Sequence, residues 1–216
     1  MGENVVTDGK RRMSSLEAFE PDPAVAFPCE FFQRPTVEVA RALLGAVLVK
    51  QEEHGWCAAR LVEVEAYLPE GDPANHAARG WSQRTAPMFQ QGGILYVYAI
   101  YGRHRCVNVV TEPVGCGAAV LLRAAEPIAG IALLRRRRGD VPEEMLCRGP
   151  ANLALAFGFD LCDNFRSVCS DTLFIQPPAE PPSPEEIAVS PRIGVTRGRD
   201  LLLRFFLRTS AAVSRQ

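Results

Sequence analysis

Six side chains within one short span of the sequence are of types that do chemistry together: Glu65, Tyr67, His76, Tyr98, Tyr101 and Asn108. Glu65 stands between Val64 and Ala66. A carboxylate in apolar surroundings is partly desolvated, which raises its pKa and makes it a usable general base. Glu63 shares the same strand face and is an equal candidate on pattern. The plain alternative for either acid is a solvated charge on a strand face. Tyr96 and Tyr98 share one face of a strand, and Tyr101 follows on the other. Such rings are usually core, but a ring face can also stack on a flat ligand. Tyr101 lies beside Arg103, His104 and Arg105. An aromatic wedge next to cations that can meet phosphate is a nucleic-acid signal. His76 can hydrogen-bond a ligand or a structural partner. His54 and Cys57 have ligand-like spacing but sit in a turn without a second pair, so no metal site is expected.

These side chains need elements to position them. Residues 57–67 read as a strand, with Leu61, Glu63, Glu65 and Tyr67 on one face and Val62, Val64 and Ala66 on the other. Residues 46–49 read as the strand before it, joined by a turn at 53–55. Residues 94–110 read as a hairpin with its tip at 102–105, and residues 118–122 as a strand that delivers Arg123. Thr36 is placed to cap a helix that Gly45 stops. Pro127 is expected to open a helix running to Arg135–Arg138 and stopping at Gly139, the four arginines forming a solvated end that favours the C-terminal dipole. A further helix is expected within 142–157, and strands at 172–176 and 201–207.

The 216 residues are 47% hydrophobic and 23% charged, enough for a sizeable core. The expected organisation is a polar tail over 1–26, one folded domain over 27–208 and a C-terminal tail over 209–216. A net charge of -1 neither demands nor excludes nucleic acid, since a local basic face can act within a neutral whole. Seven scattered cysteines without a Cys-x-x-Cys argue against a zinc ribbon or thioredoxin-type site and fit a reducing compartment. With no signal-like or membrane-length apolar run, a soluble cytoplasmic chain is expected, nucleoid-associated in a bacterium or nuclear in a eukaryote.

Taken in order, these residues resemble the alkyladenine (3-methyladenine) DNA glycosylase family. The resemblance is carried by Val62-Glu63-Val64-Glu65-Ala66-Tyr67, His76, Met88-Phe89, Leu95-Tyr96-Val97-Tyr98-Ala99-Ile100-Tyr101-Gly102 and Asn108. It continues through Val120-Leu121-Leu122-Arg123, Cys147-Arg148-Gly149-Pro150 and Pro191-Arg192-Ile193-Gly194-Val195. It implies an α+β fold: a single mixed domain around a curved antiparallel sheet with a protruding, DNA-inserting hairpin. It implies monofunctional excision of alkylated or deaminated purines from double-stranded DNA by a monomer, without cofactor, metal, Schiff-base lysine or membrane. Lys10 and Lys50, the only lysines, lie outside these motifs. By the resemblance Glu65 activates water and Arg123 holds that water and Glu65. Tyr67 and Tyr98 sandwich the extruded base, His76 meets its edge, Asn108 forms the pocket floor, and Tyr101 fills the gap in the duplex. Arg84, Arg103 and Arg105 become DNA-backbone candidates. The loop over 82–87 departs from the Thr-Pro-Arg-Asn-like run of the family, and no residue is assigned as acid for a neutral leaving base. The rival readings are a non-catalytic nucleic-acid-binding module of the same fold and a hydrolase of free nucleosides; duplex dependence of activity separates them.

Overall fold

A computed structural model describes residues 19–214. The expected N-terminal tail lies outside the described residues over 1–18. From there the chain is already tied to the body. Asp22 caps a short 3-10 turn, Pro23–Val25, and the Phe27 N–H donates to the Ile175 carbonyl at 2.9 Å. Phe27 stacks on Phe31 with ring centres 3.7 Å apart.

Among the described residues nine strands make one antiparallel sheet: β1 (Val47–Glu52), β2 (Gly55–Tyr67), β3 (Leu95–Ile100), β4 (His104–Thr111), β5 (Ala118–Ala129), β6 (Cys169–Ser170), β7 (Leu173–Gln176), β8 (Ile187–Ser190) and β9 (Arg204–Leu207). Their order is β3-β4-β5-β2-β1-β7-β6, with β8 joined through β9 to β2. With helices α1 (Thr36–Ala42), α2 (Ile131–Arg138) and α3 (Pro150–Phe157), this is a single α+β domain. β2 is the axis. One edge pairs with β5 along nearly its whole length; the other pairs with β1 over its first half and with β9 at Glu63, Val64 and Glu65. Register shifts around Leu61, Glu63 and Val64 mark bulges, which curl the sheet where the acids sit.

The alternation along β2 is present, but its outcome differs from the expected one. Leu61, Val62, Glu63, Val64, Glu65 and Ala66 are all fully buried. The two acids are enclosed by the Arg204 side chain from β9, the Ile193 amide and the C-terminal segment, so the solvated-acid reading fails for both glutamates. That segment packs firmly: Ala212 and Val213 are buried, and the Ser214 N–H donates to Glu63 Oε2 at 2.7 Å.

A second difference lies at Pro127, which opens no helix; β5 continues through it to Ala129. Proline cannot donate to a ladder, but β4 leaves β5 after Leu121, so here β5 pairs with β2 and no longer with β4. The strand-to-helix corner falls at Gly130, with φ +71. A Cβ there would collide with the Trp56 carbonyl. The arginine block is less free than expected. Arg135, Arg137 and Arg138 donate to the carbonyls of Val141, Ala156 and Leu146 and so staple α2 to its neighbours. Nor does Thr36 cap α1; its hydroxyl donates to Glu112 Oε1 at 2.7 Å, across to the end of β4.

The core lies between the sheet and the helices, with α3 against β4 and β5. Leu122 on β5 and Phe157 on α3 are completely buried. Each such side chain contributes about 1.5–3 kcal/mol by leaving water. No helix among the described residues is long and apolar enough to cross a membrane.

Candidate active site

Four neighbouring strands bring the distant candidates together. Tyr96 on β3 opposes Asn108 on β4, Asn108 opposes Leu121 on β5, and Leu121 opposes Glu65 on β2. Side chains alternate along each strand, so Tyr98, Arg123 and Tyr67 share the face of this row. Tyr67, His76, Arg84, Tyr98, Tyr101, Asn108 and Arg123 all line one cavity of about 1440 Å³. Among the described residues no group of three or more His, Cys, Asp or Glu side chains is placed to hold a metal ion.

Glu65 lies immediately behind the cavity wall rather than on it. Its Oε1 accepts from the Ile193 N–H at 2.7 Å and pairs with Arg123 Nη1 at 3.2 Å. Its Oε2 accepts from the Tyr67 hydroxyl at 3.0 Å. Arg123, Ile193 and Tyr67 themselves border the cavity. Burial pushes the Glu65 carboxyl above the ordinary carboxylate range, and Arg123, the Ile193 amide and the Tyr67 hydroxyl pull it partly back. Burial also works against the Arg123 charge, but Glu65 and Glu63 outweigh it and hold the guanidinium firmly protonated.

Glu63 differs in its partners. Its Oε1 accepts from Arg123 Nε at 2.8 Å and Arg204 Nε at 2.7 Å, and its Oε2 from the Ser214 amide. Of these only Arg123 borders the cavity. Glu63 thus anchors Arg123 and the C-terminal segment, whereas every partner of Glu65 faces the cavity. The pattern along β2 left the two acids equivalent; the partners separate them.

The aromatic wall is built by β3. Tyr96 and Tyr98 stack with centres 5.4 Å apart, and the His76 ring meets Tyr98 edge-on at 4.6 Å. His76 Nδ1 lies 2.9 Å from the Tyr96 hydroxyl. Burial, and then the charge of Arg84, lowers the His76 pKa, so the ring is neutral at neutral pH. Asn108 Nδ2 donates to the Tyr96 carbonyl at 3.0 Å, which fixes the amide on the floor. Opposite, the Arg192 guanidinium lies 4.5 Å from the centre of the Tyr67 ring. Two 2.6 Å bonds clamp it to Asp72, and it donates to the Ala66 carbonyl at 2.9 Å.

The rim carries Tyr101 at the β3–β4 tip, 93% exposed and with φ +48. Left-handed backbone at an exposed tyrosine is uncommon and costs about 1 kcal/mol. Arg103 stands exposed on the same tip, outside the cavity. Arg105 is also outside it, paired to Asp160 through a 2.6 Å bond.

Residues 30–211 match the family model described as Methylpurine-DNA glycosylase (MPG). The chain belongs to the methylpurine-DNA glycosylase family. It is 46% identical over 194 residues to a protein of Methanoculleus marisnigri, covering 89% of this chain and all of that one. Proteins of Chlorobium phaeobacteroides and Corynebacterium glutamicum (strain R) are 43% and 42% identical, covering 86% and 88% of this chain and 93% and 87% of their own. All three carry the name "Putative 3-methyladenine DNA glycosylase". The chain is accordingly a DNA glycosylase.

Several residues of this candidate site escape a reading by residue type. Arg192, clamped by Asp72, backs Tyr67, and Arg204 and Ser214 hold Glu63; of these only Asp72 lies within the span that carries the candidates. The run Pro191-Arg192-Ile193 was the available signal for Arg192 and for the Ile193 amide. Tyr96 carries a role of its own, through the hydroxyl that holds His76.

Proposed function

We propose that this chain is a monofunctional glycosylase that extrudes alkylated or deaminated purines from double-stranded DNA and hydrolyses the N-glycosidic bond, as the first step of base excision repair. The damaged base, 3-methyladenine, 7-methylguanine, hypoxanthine or ethenoadenine, enters between Tyr67 and Tyr98 with His76 at its edge. Asn108 on the floor crowds the exocyclic amine of normal guanine. Turning a nucleotide out of the stack costs a few kcal/mol, least for damaged or mispaired bases. Tyr101, held out by its tip turn, fills the gap, and the cations nearby meet the backbone. The molecule acts as a monomer.

Water attacks C1′ of the sugar while the bond to the base breaks, and Glu65 takes the water proton. Each carboxylate oxygen has two lone pairs, so Oε2 can accept a water proton beside its bond from Tyr67. Arg123 keeps Glu65 ionised and orients the attacking oxygen. The carboxylate just behind the cavity wall also favours positive charge developing on the sugar.

One observation carries this reading: a fully buried, cation-paired carboxylate directly behind a cavity walled by two tyrosines. Single-turnover excision from duplexes carrying 7-methylguanine or hypoxanthine tests it. Base release with an intact abasic strand, lost in Glu65→Gln, is expected. Tight lesion binding without release would instead support the non-catalytic module.

A further inference from the structure

The cavity is lined by cations that the proposed chemistry does not use, Arg84 among them. Arg84 was a backbone candidate, yet its guanidinium lies 5.7 Å from the centre of the Tyr98 ring, within cation–π range, and lines the same cavity as Asn108 and His76. Its root is fixed. The adjoining Thr85 is buried, and its hydroxyl bonds the Ser82 amide at 2.9 Å, the Ser82 hydroxyl at 2.8 Å and the Gly80 carbonyl at 3.2 Å.

The two tyrosine walls differ in charge. Behind Tyr67 the Arg192 guanidinium is neutralised by Asp72. At Tyr98, Arg84 has no carboxylate partner among the described residues. His76 supplies no charge, being neutral with Nδ1 held at Tyr96. Arg123 is spent on Glu63 and Glu65. Arg79 and Arg197 also line the cavity, but among the described residues Arg84 is the cation without a carboxylate partner there that sits over a wall ring, so its charge lies beside the base slot.

We propose that Arg84 sorts lesions by charge, promoting release of neutral damaged purines and disfavouring those that are already cationic. The role rests on the glycosylase reading above. When the C1′–N9 bond breaks, its electron pair goes to the purine. The water oxygen bonds C1′, and its proton goes to Glu65. A purine methylated at N7 or N3 carries positive charge and leaves neutral, so it needs no further help. Hypoxanthine leaves as an anion and takes a proton from solvent after release. Arginine cannot give up its own proton, so the contribution is electrostatic, aided by hydrogen bonds to the O6 and N7 acceptors. Hypoxanthine presents these acceptors as guanine does. Arg84 is solvent-exposed, so it acts as a partly screened cation held over the Tyr98 ring, stabilising the anion that develops on such a leaving group.

The test is single-turnover excision at saturating enzyme from two duplexes that differ only in carrying hypoxanthine or 7-methylguanine. Wild type, Arg84→Met and Arg84→Lys are compared. The ratio of the hypoxanthine rate to the 7-methylguanine rate is expected to fall about tenfold or more in Arg84→Met and to recover partly in Arg84→Lys. An unchanged ratio overturns the sorting role, and it does so equally if both rates fall together through weakened DNA contact. Release of neither base by the wild-type chain overturns the glycosylase reading and takes the sorting role with it.

Discussion

Glu63 and Glu65 stand two residues apart on β2, equally buried, and their substitutions are expected to do opposite things. Glu63 is shared by Arg123 and Arg204. Removing one member of a buried ion pair typically costs about 3–5 kcal/mol. Glu63→Gln should therefore lower the Tm sharply, and thermal unfolding of the variant checks it. Glu65→Gln should abolish excision while raising the Tm at pH 8. Burial lifts the folded pKa of Glu65 above its unfolded value. Its contribution to stability is then fully present below the unfolded pKa and is lost as pH rises through the folded one. The Tm advantage of Glu65→Gln should accordingly shrink as pH falls toward 4, and a Tm below wild type at pH 8 would refute the assignment. Wild-type activity should follow the same ionisation, with an acid limb above the ordinary carboxylate range. Arg192 is a positioning residue. Arg192→Met strands the buried Asp72 carboxylate and frees the Tyr67 ring. About 3 kcal/mol of stability should go with it. Arg192→Met in an Asp72→Asn background should regain much of that Tm without regaining lesion affinity, because the ring still lacks its backing.

At the scale of elements, the β3–β4 hairpin does two jobs that its turn keeps apart. Its strands pin Tyr96, Tyr98 and Asn108 to the cavity, while the left-handed turn throws Tyr101 outward. Tyr101→Gly relieves the backbone strain and removes the ring. We expect stability unchanged or up by about 1 kcal/mol, with weaker binding of a lesion duplex. Equal affinity of Tyr101→Gly and wild type in a fluorescence-anisotropy titration would rule out the wedge. Alternation alone left Glu63 and Glu65 equivalent, but the hairpin, β2 and the sharing of one face by Tyr96 and Tyr98 were legible because alternation places side chains on a face whatever lies further away. Two features were not. The run at 127–138 reads as one helix with a proline at its start. Only the early departure of β4 lets β5 continue through Pro127, and that is a property of the sheet. Likewise nothing local to β2 reveals that its acidic face is covered, because the cover comes from residues 190–214.

For the whole molecule this makes the C-terminal segment part of the site. It closes the sheet over the acids, supplies the Ser214 amide to Glu63 and the Ser214 hydroxyl to Arg123, and buries Ala212 and Val213 against the core. Arg148 Nε reaches the Val213 carbonyl at 3.0 Å, and Arg204 Nη2 the Ser214 carbonyl at 2.9 Å. The motifs that identify the family end well before this segment, and the family match itself stops at residue 211. A chain ending at residue 210 would keep every motif. It would nonetheless expose the Glu63 carboxylate and unpair donors on three arginines. Losing the burial of Val213 alone costs about 1–2 kcal/mol. Losing a charge-assisted bond to Glu63 adds about 1.5–3 kcal/mol. We expect this truncation to lower the Tm by many degrees and to cut excision at a temperature where the chain remains folded, because Arg123 loses an anchor that aligns it with Glu65. A Ser214→Ala variant isolates the hydroxyl: it keeps the amide on Glu63, so its Tm should stay near wild type while excision falls a few-fold. A truncated chain with wild-type Tm and wild-type excision would show that the acids need no cover from this end, and that β9 and the Ile193 amide suffice.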